Sequence, residues 1–551
     1  MSLRMRAPVR LACGAFAAVL LCSASSLAFA APGDRANSAT VAELRVELER
    51  ERAARAQADA RLQALAERLA ALEQTTQGLV EAQGSNNEQV ATLATTVETL
   101  NAAPTVAVGN GRPTFATRDG VFTASLRANV MADSGAYFQD DPGNAATTDF
   151  RRGGGAEVAQ ARDLNSGVVL RRARLGLEGR VFRDFTYNLV TEFGGSGVEE
   201  AGRIFEMSLQ YNGIPNVAIK AGAFEQQVGL GANVSTSNIM LMERPAVAEI
   251  TRNIAAGDSR IGLQVSRWGE FGGDTSFGGS YMIAGGVTSS TASTGGSFGD
   301  QAGLTGRMTI TPTPSPDLLF HVGLNGSYVI SPQDVSGPSS TGPNPAGSYP
   351  TRFRDRPELR LDAIRLVDTG NIDSDHAWHW GLEGAFQYRN FMIQGEYMAF
   401  GVDRRDSVLS DPDFSGWYVE GAWVITGEKR RYNVQNAVFD APSISNPWAP
   451  GSGGYGAWEL AARYSTVNLN YNEGLPLAAI PVDGIRGGEQ SIVTVGLNWY
   501  VNPSLRFMLQ VMHVDIDRLA PTANYGIAGT PLGAQVGQEY DAVALRTQFG
   551  F

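Results

Sequence analysis

All but two of the 44 basic residues in this 551-residue chain are arginine, the exceptions being Lys220 and Lys429. Many of the arginines sit at alternate positions. Between Val168 and Phe182, Arg172, Arg174 and Arg180 share one side with Gly176 and Glu178, while Leu175, Leu177 and Val181 take the other. That is a strand with one polar and one apolar face. The same alternation puts Arg127, Lys220, Arg260, Arg307, Arg463, Arg506 and Arg546 on polar faces, together with Glu178, Glu192, Glu206, Glu383, Glu396, Glu420 and Glu459, a modest excess of cations. Guanidinium is planar, permanently charged and bidentate, which suits the oxygens of phosphate or carboxylate. Two uses are open: contacts to a small anion, or ion pairs with those glutamates. Arg244 and Arg252 lie instead in an aperiodic stretch, Gln227 to Asp258, with STSNIMLMERPAVAEI (Ser235 to Ile250) after Gly229 and Gly231. Its apolar residues let it pack, either folded into a lumen that it narrows or against a neighbouring chain in an oligomer.

No catalytic, metal or cofactor site is expected. Of the histidines, His513 alternates with apolar Leu509 and Val511, His376 and His379 border a strand, and neither these nor His321 belongs to a nucleophile motif. A hydrolase would need a positioned nucleophile and base, which lipase or protease assays would reveal. Both cysteines, Cys13 and Cys22, fall in a removable leader. Arg4, Arg6 and Arg10 precede the apolar run Leu11 to Cys22, and Ala28-Phe29-Ala30 offers small residues for cleavage, so residues 1–30 read as a secretory signal peptide. An exported chain without cysteine relies on neither disulfides nor thiolates. The formal net charge of -12, more negative still once those arginines are removed, argues against nucleic acid as a partner.

Residues 38–101 read as a helical coiled coil. Steps of three and four run through Leu44, Leu48, Leu62, Leu65, Leu69, Leu72, Leu79, Val90, Leu93 and Val97 without a phase slip, a period of 3.5 that a single soluble helix would not hold. If continuous it would reach about 90 Å, with Gly84-Ser85-Asn86-Asn87 as a weak point. The alternative is one amphipathic helix lying on the following domain. Residues 102–113, with two prolines and two glycines, read as a linker.

From Thr114 the period is two. Alternating runs cover Val121 to Met131, Val168 to Phe182, Thr186 to Phe193, Ile204 to Tyr211, Val217 to Phe224, Ser259 to Trp268, Thr275 to Ala284, Gln301 to Ile310 and Leu318 to Ile330. They continue over Ala377 to Tyr388, Phe391 to Phe400, Gly416 to Thr426, Ala457 to Leu469, Ser491 to Tyr500, Leu505 to Val514 and Asp541 to Phe551, with aromatics at many ends. Glu358 to Val367 would be one strand too many for a single-chain bacterial barrel, which closes on an even number, so it reads as part of a long loop. The expected fold is all-β: a 16-stranded antiparallel transmembrane β-barrel over residues 114–551, preceded by the coiled coil. A soluble propeller would show a repeat per blade, and none is present. Gly427 to Gly456 is the misfit, a long connection where a short turn is expected, either periplasmic or entering the pore. On its own the terminal strand, DAVALRTQFGF, fits a barrel seam or the edge of a soluble sheet.

The chain resembles the phosphate-selective porins O and P. The resemblance rests on KAGAFEQQVGLGANVSTSNIMLMERPAV (Lys220 to Val247), RRARLGLEGRVFRDFTYNLVTEF (Arg171 to Phe193), GWYVEGAWVITGEKRRYN (Gly416 to Asn433), VDTGNI (Val367 to Ile372) and the aromatic terminus. It implies a trimeric outer-membrane channel with lipid as surroundings and small anions such as phosphate as solutes, an arginine ladder, and a constricting loop. The candidate pore-lining residues are Arg127, Arg172, Arg174, Arg180, Lys220, Arg244, Arg252, Arg260 and Arg307. The family's best-known members also have a lysine-rich vestibule, which this chain, nearly free of lysine, departs from. A general or carbohydrate-permeable porin is therefore the alternative. A further rival is an envelope tether, in which the coiled coil contacts the cell wall and the barrel only anchors it.

Overall fold

The computed structural model describes residues 38–102, 104–109, 112–139, 150, 164–195, 202–257, 259–273, 278–292, 301–334, 349–406, 408–525 and 529–551. The signal-peptide segment lies outside them. The chain divides into two units, Met1–Leu100 and Asn101–Phe551.

The first unit contains all but the last two residues of helix α1 (Ser38–Ala102). It runs without a break through Gly84 to Asn87, where the sequence suggested a weak point. A break would leave carbonyl and amide groups unpaired, and neither Gly84 nor the polar residues after it removes a backbone donor as proline would.

The second unit opens with β1 (Thr105–Gly109) and β2 (Arg112–Ala116), followed by β3 (Thr123–Gln139), β4 (Gly167–Val181), β5 (Phe185–Glu192), β6 (Arg203–Tyr211) and β7 (Val217–Phe224). A loop holding α2 (Leu230–Asn233) and α3 (Ala246–Ala255) leads to β8 (Arg260–Phe271), β9 (Gly279–Thr291), β10 (Ala302–Pro312) and β11 (Leu318–Ser331). Short pieces β12 (Pro350–Thr351), β13 (Arg354–Asp355) and β14 (Val367–Asp368) precede β15 (Ile372–Tyr388), β16 (Phe391–Arg404) and β17 (Asp413–Val424). A hairpin of β18 (Arg430–Asn433) and β19 (Val438–Pro442) comes before β20 (Ala457–Tyr471), β21 (Ile485–Asn502), β22 (Leu505–Asp517) and β23 (Gln538–Gly550).

Sixteen strands, β3 to β11, β15 to β17 and β20 to β23, pair antiparallel with their neighbours, and β23 closes on β3 from Tyr540↔Gln139 to Gly550↔Asn129. Closure leaves no edge, the condition for a sheet to lie in lipid, where an unpaired backbone group finds no water. The terminal strand is thus the seam, and Phe551 bonds Ala128 in both directions. The alternation is realised as expected: on β22, Arg506, Met508, Gln510 and Met512 are buried while Leu509 and Val511 are exposed. Exposed rows such as Leu304, Met308 and Ile310 form the apolar outside. At the short-turn rim Trp458 stacks on Trp499 at 5.3 Å, an aromatic pair at the height of a membrane interface.

Glu358 to Val367 is not a barrel strand, as parity required; β13 and β14 flank it as a separate two-stranded pairing. The linker reading needs correction. Residues 105–116 are a hairpin, and β2 pairs with β3 (Thr114↔Ser125, Ala116↔Thr123), extending the sheet beyond the end of β23. The long connection after β17 is resolved too: its hairpin enters the lumen.

Candidate functional site

Loop 225–257 lies inside the barrel, and most of it is buried. Irregular backbone can be buried only if its polar groups find partners, and the polar lumen wall supplies them. Asn498 Nδ2 donates to the Met240 carbonyl at 2.8 Å, and Arg506 Nη2 to that of Ile239 at 2.9 Å. Gln510 Oε1 accepts from Met242 N at 3.0 Å, and Arg546 donates to the Met242 carbonyl. At the other end of the loop, Glu396 accepts from Leu230 N and Gly231 N, both at 2.7 Å. Packing is equally close: a Cβ on Gly416 would lie 2.8 Å from Val247 of α3.

Glu243 of this loop is the hub. Arg171 clasps it with two bonds of 2.7 and 3.0 Å, and Arg546 reaches it at 2.6 Å while also holding Asp133 at 2.6 and 2.7 Å. Burial alone would push the Glu243 carboxyl upward, but Arg171 and Arg546, with Arg360 and Arg172 behind, hold it well below the usual carboxylate range. Strict alternation would have turned Arg171 outward. A register shift sets Met131 opposite Arg172 and Ala132 opposite Leu170, so both adjacent arginines point inward. The only signal in the sequence was the doubled arginine itself.

Two further segments fill the lumen. Phe353, Leu359, Leu366 and Val367 share one buried apolar cluster with Val247, Ile250 and Ile254 of α3, and Glu358 meets Arg463 of the wall and accepts from Ser465 Oγ at 2.6 Å. From the short-turn rim, the β18–β19 hairpin is tied by Arg430 to Glu459 (2.8 Å) and by Asp440 to Asn238 (2.7 Å). Arg307 bonds Glu383 at 2.7 Å and the carbonyls of Asn436 and Ala437 at 2.8 and 2.9 Å.

One open space runs beside β3, β4 and β6 to β8. A cavity of about 190 Å³ is bordered by Arg127, Arg174, Lys220 and Arg244, by Glu206 and Glu225, and by Asn436 of the hairpin. Another of about 640 Å³ shares Arg127 and Ser235 with it and opens at the short-turn rim. Lys220 pairs with Glu206 at 2.6 Å. Arg174 bonds Glu192 at 2.7 Å with its guanidinium 3.4 Å over the Phe205 ring. Arg244 is aimed by the carbonyls of Gly231 (3.0 Å) and Val234 (2.9 Å), with Glu225 only at 3.9 Å.

The nine candidate residues therefore divide. Arg127, Arg174, Lys220 and Arg244 border one cavity. Arg252 is buried against Glu225 and Glu249, both at 3.0 Å, and Arg307 is committed to Glu383 and the hairpin. Arg172 lies 3.7 Å from Glu192, and Arg180 is exposed near the short-turn rim. Arg260 borders a separate cavity of about 360 Å³ beside α3, bonded there to Gln301 Oε1 at 3.0 Å.

A closed sixteen-strand membrane barrel, narrowed from inside and left with a charged lane, defines an outer-membrane porin. The chain belongs to the phosphate-selective porin O and P family, whose profile matches residues 147–551. Porin O of Pseudomonas aeruginosa is 25% identical over 399 residues, covering 68% of this chain and 85% of that one. Among solved structures, the anion-selective porin from Comamonas acidovorans aligns with a TM-score of 0.43 at 11% identity, over 78% of this chain and 100% of that chain. The outer membrane channel DcaP of Acinetobacter baumannii aligns with 0.39 at 12% identity, over 79% and 99%. Helix α1 lies outside the matched stretch.

Proposed function

We propose that this porin conducts small anions passively, oxyanions such as phosphate among them, along the lane of Arg127, Arg174, Lys220 and Arg244. One observation carries the reading: four cations and two carboxylates face a single narrow cavity, while Arg307, Arg430, Arg463 and Arg546 are taken up in holding the inward segments. A solute is drawn by the lane's field, exchanges part of its hydration for guanidinium contacts, and leaves because each contact is weak and repeated. Glu206 and Glu225 temper that field, so an anion is passed on rather than retained. The family supports the outer membrane as the site of the barrel; we read the assembly as a trimer, with residues 1–30 removed on export and α1 as a coiled coil in the periplasm.

Planar-bilayer recording tests the reading. Replacing Lys220 by Gln and Arg127 by Ser should move the reversal potential in a salt gradient toward the cation; an unmoved potential would take the lane out of the mechanism. Chloride current competed by phosphate, pyrophosphate, nitrate and a neutral sugar then ranks the solutes. A sugar that blocks as well as phosphate would make this a general porin.

A further inference from the structure

We infer that Arg112, on the hairpin before the barrel, is a positioning residue for anion passage: it occupies Glu178 and so leaves Arg127 available to the solute. This rests on Arg127 belonging to the conducting lane. Register makes the arrangement. Pairing of β2 with β3 continues the inner face past the end of β23, so Thr114 meets Ser125, with hydroxyls 2.9 Å apart, and Arg112 falls on the same face toward Glu178. On the other side of β3, Ser125 is opposite Glu178 and Arg127 opposite Gly176. One carboxylate thus stands between two guanidiniums.

The two contacts are unequal. Arg112 takes Glu178 Oε1 in a close ion pair, whereas Arg127 reaches Oε2 only at 3.5 Å. All three side chains are about a third exposed and border the 640 Å³ cavity, and only Arg127 also borders the narrower one. Removing Arg112 would leave Glu178 with Arg127 as its one basic neighbour among the described ion pairs. A closed Arg127–Glu178 pair presents no net charge to an anion, since opposite unit charges a few ångströms apart cancel beyond that distance.

The test is a set of full-length variants in planar bilayers: Arg112→Ser, Glu178→Gln, Arg127→Ser, their pairs, and Arg112→Lys. Arg112→Ser should lower the anion-to-cation permeability ratio roughly twofold, the scale of one exposed ion pair. Arg112→Lys should keep the parental ratio, and Glu178→Gln should raise the ratio more in the Arg112→Ser background than alone. In the Glu178→Gln background, which has no carboxylate to close on Arg127, Arg112→Ser should lower the ratio by less than it does in the parent. An equal loss in the two backgrounds would overturn the inference, showing that Arg112 acts only as one more charge at the mouth. An Arg127→Ser channel with unchanged selectivity would instead sink the lane itself. If Arg112→Ser fails to assemble, Arg112→Gln in the parental and Glu178→Gln backgrounds takes its place: a smaller loss in the Glu178→Gln background supports the pairing, and an equal loss overturns it.

Discussion

Glu243 concentrates the residue-scale physics of this pore. Removing one partner from a buried ionic network strands the others, at a cost of about 3–5 kcal/mol. Glu243→Ala should therefore unseat the loop rather than unfold the barrel, read as a larger and noisier single-channel conductance with weakened anion preference. Because its carboxyl is held well below the usual range, first against burial and then by Arg171 and Arg546, its contribution is complete above the usual glutamate value and disappears only as pH falls through the depressed one. The loop should stay seated in mild acid. Asp355, in the other inward loop, behaves oppositely. Burial, countered by Arg360 and reinforced by Glu249, pushes its carboxyl up to about 7. The seated loop then binds a proton that the freed loop releases, so seating weakens as pH rises toward 7. Channel noise should increase from about pH 4 to about pH 7, and Asp355→Asn should flatten that rise; an unchanged slope in the variant would assign it elsewhere. Much of this scale was legible: the inward glutamates at positions 192, 383, 396, 420 and 459 are all buried on the lumen side. Arg171 was not, because a bulge breaks the parity that alternation depends on.

At the scale of elements, period two revealed the strands because lipid outside and polar groups inside impose it on every residue in turn. The inward segments obey no period. What seats them is chemistry with distant residues, such as Asn238 with Asp440, 202 positions apart, which a local pattern does not register. Residues 427–456 looked misplaced for that reason: length marked them as unusual, and only their partners explain them. The linker failed for another reason, since two prolines and two glycines suit a loop but also suit a short hairpin at a sheet's end, where few backbone donors are needed. The lumen hairpin makes its own prediction. β17 pairs with β20 along Ser415↔Asn468 to Val424↔Glu459 without it. Replacing residues 430–442 by a short Gly-Ser turn should leave a folded, heat-stable barrel whose conductance rises, because Asn436 borders the narrow cavity. Unchanged conductance would mean that the loop bearing Glu243 alone sets the bore.

At the scale of the whole molecule, α1 is left to explain. Along it Leu44, Leu62, Leu65, Leu69, Leu72 and Leu79 are 58–66% exposed, on one seam. Covering a leucine is worth about 1.5–3 kcal/mol, so a row of them at a period of 3.5 favours association with copies of the same helix. In such an association the seam's polar positions, among them Glu51, Arg55, Gln83 and Asn86, would cost stability and fix the register, since a shift would bury a charge against leucine. Among the described residues, those bordering the three barrel cavities all follow position 104, so conduction and association should separate. A chain lacking residues 41–100 should keep the parental conductance and selectivity while its oligomer dissociates at a lower temperature in detergent. The peptide 38–102 should melt by circular dichroism at a temperature that climbs with concentration and sediment as an oligomer. A peptide that stays helical but monomeric at every concentration would end the coiled-coil reading, and loss of conductance in the shortened chain would make the helix part of the pore.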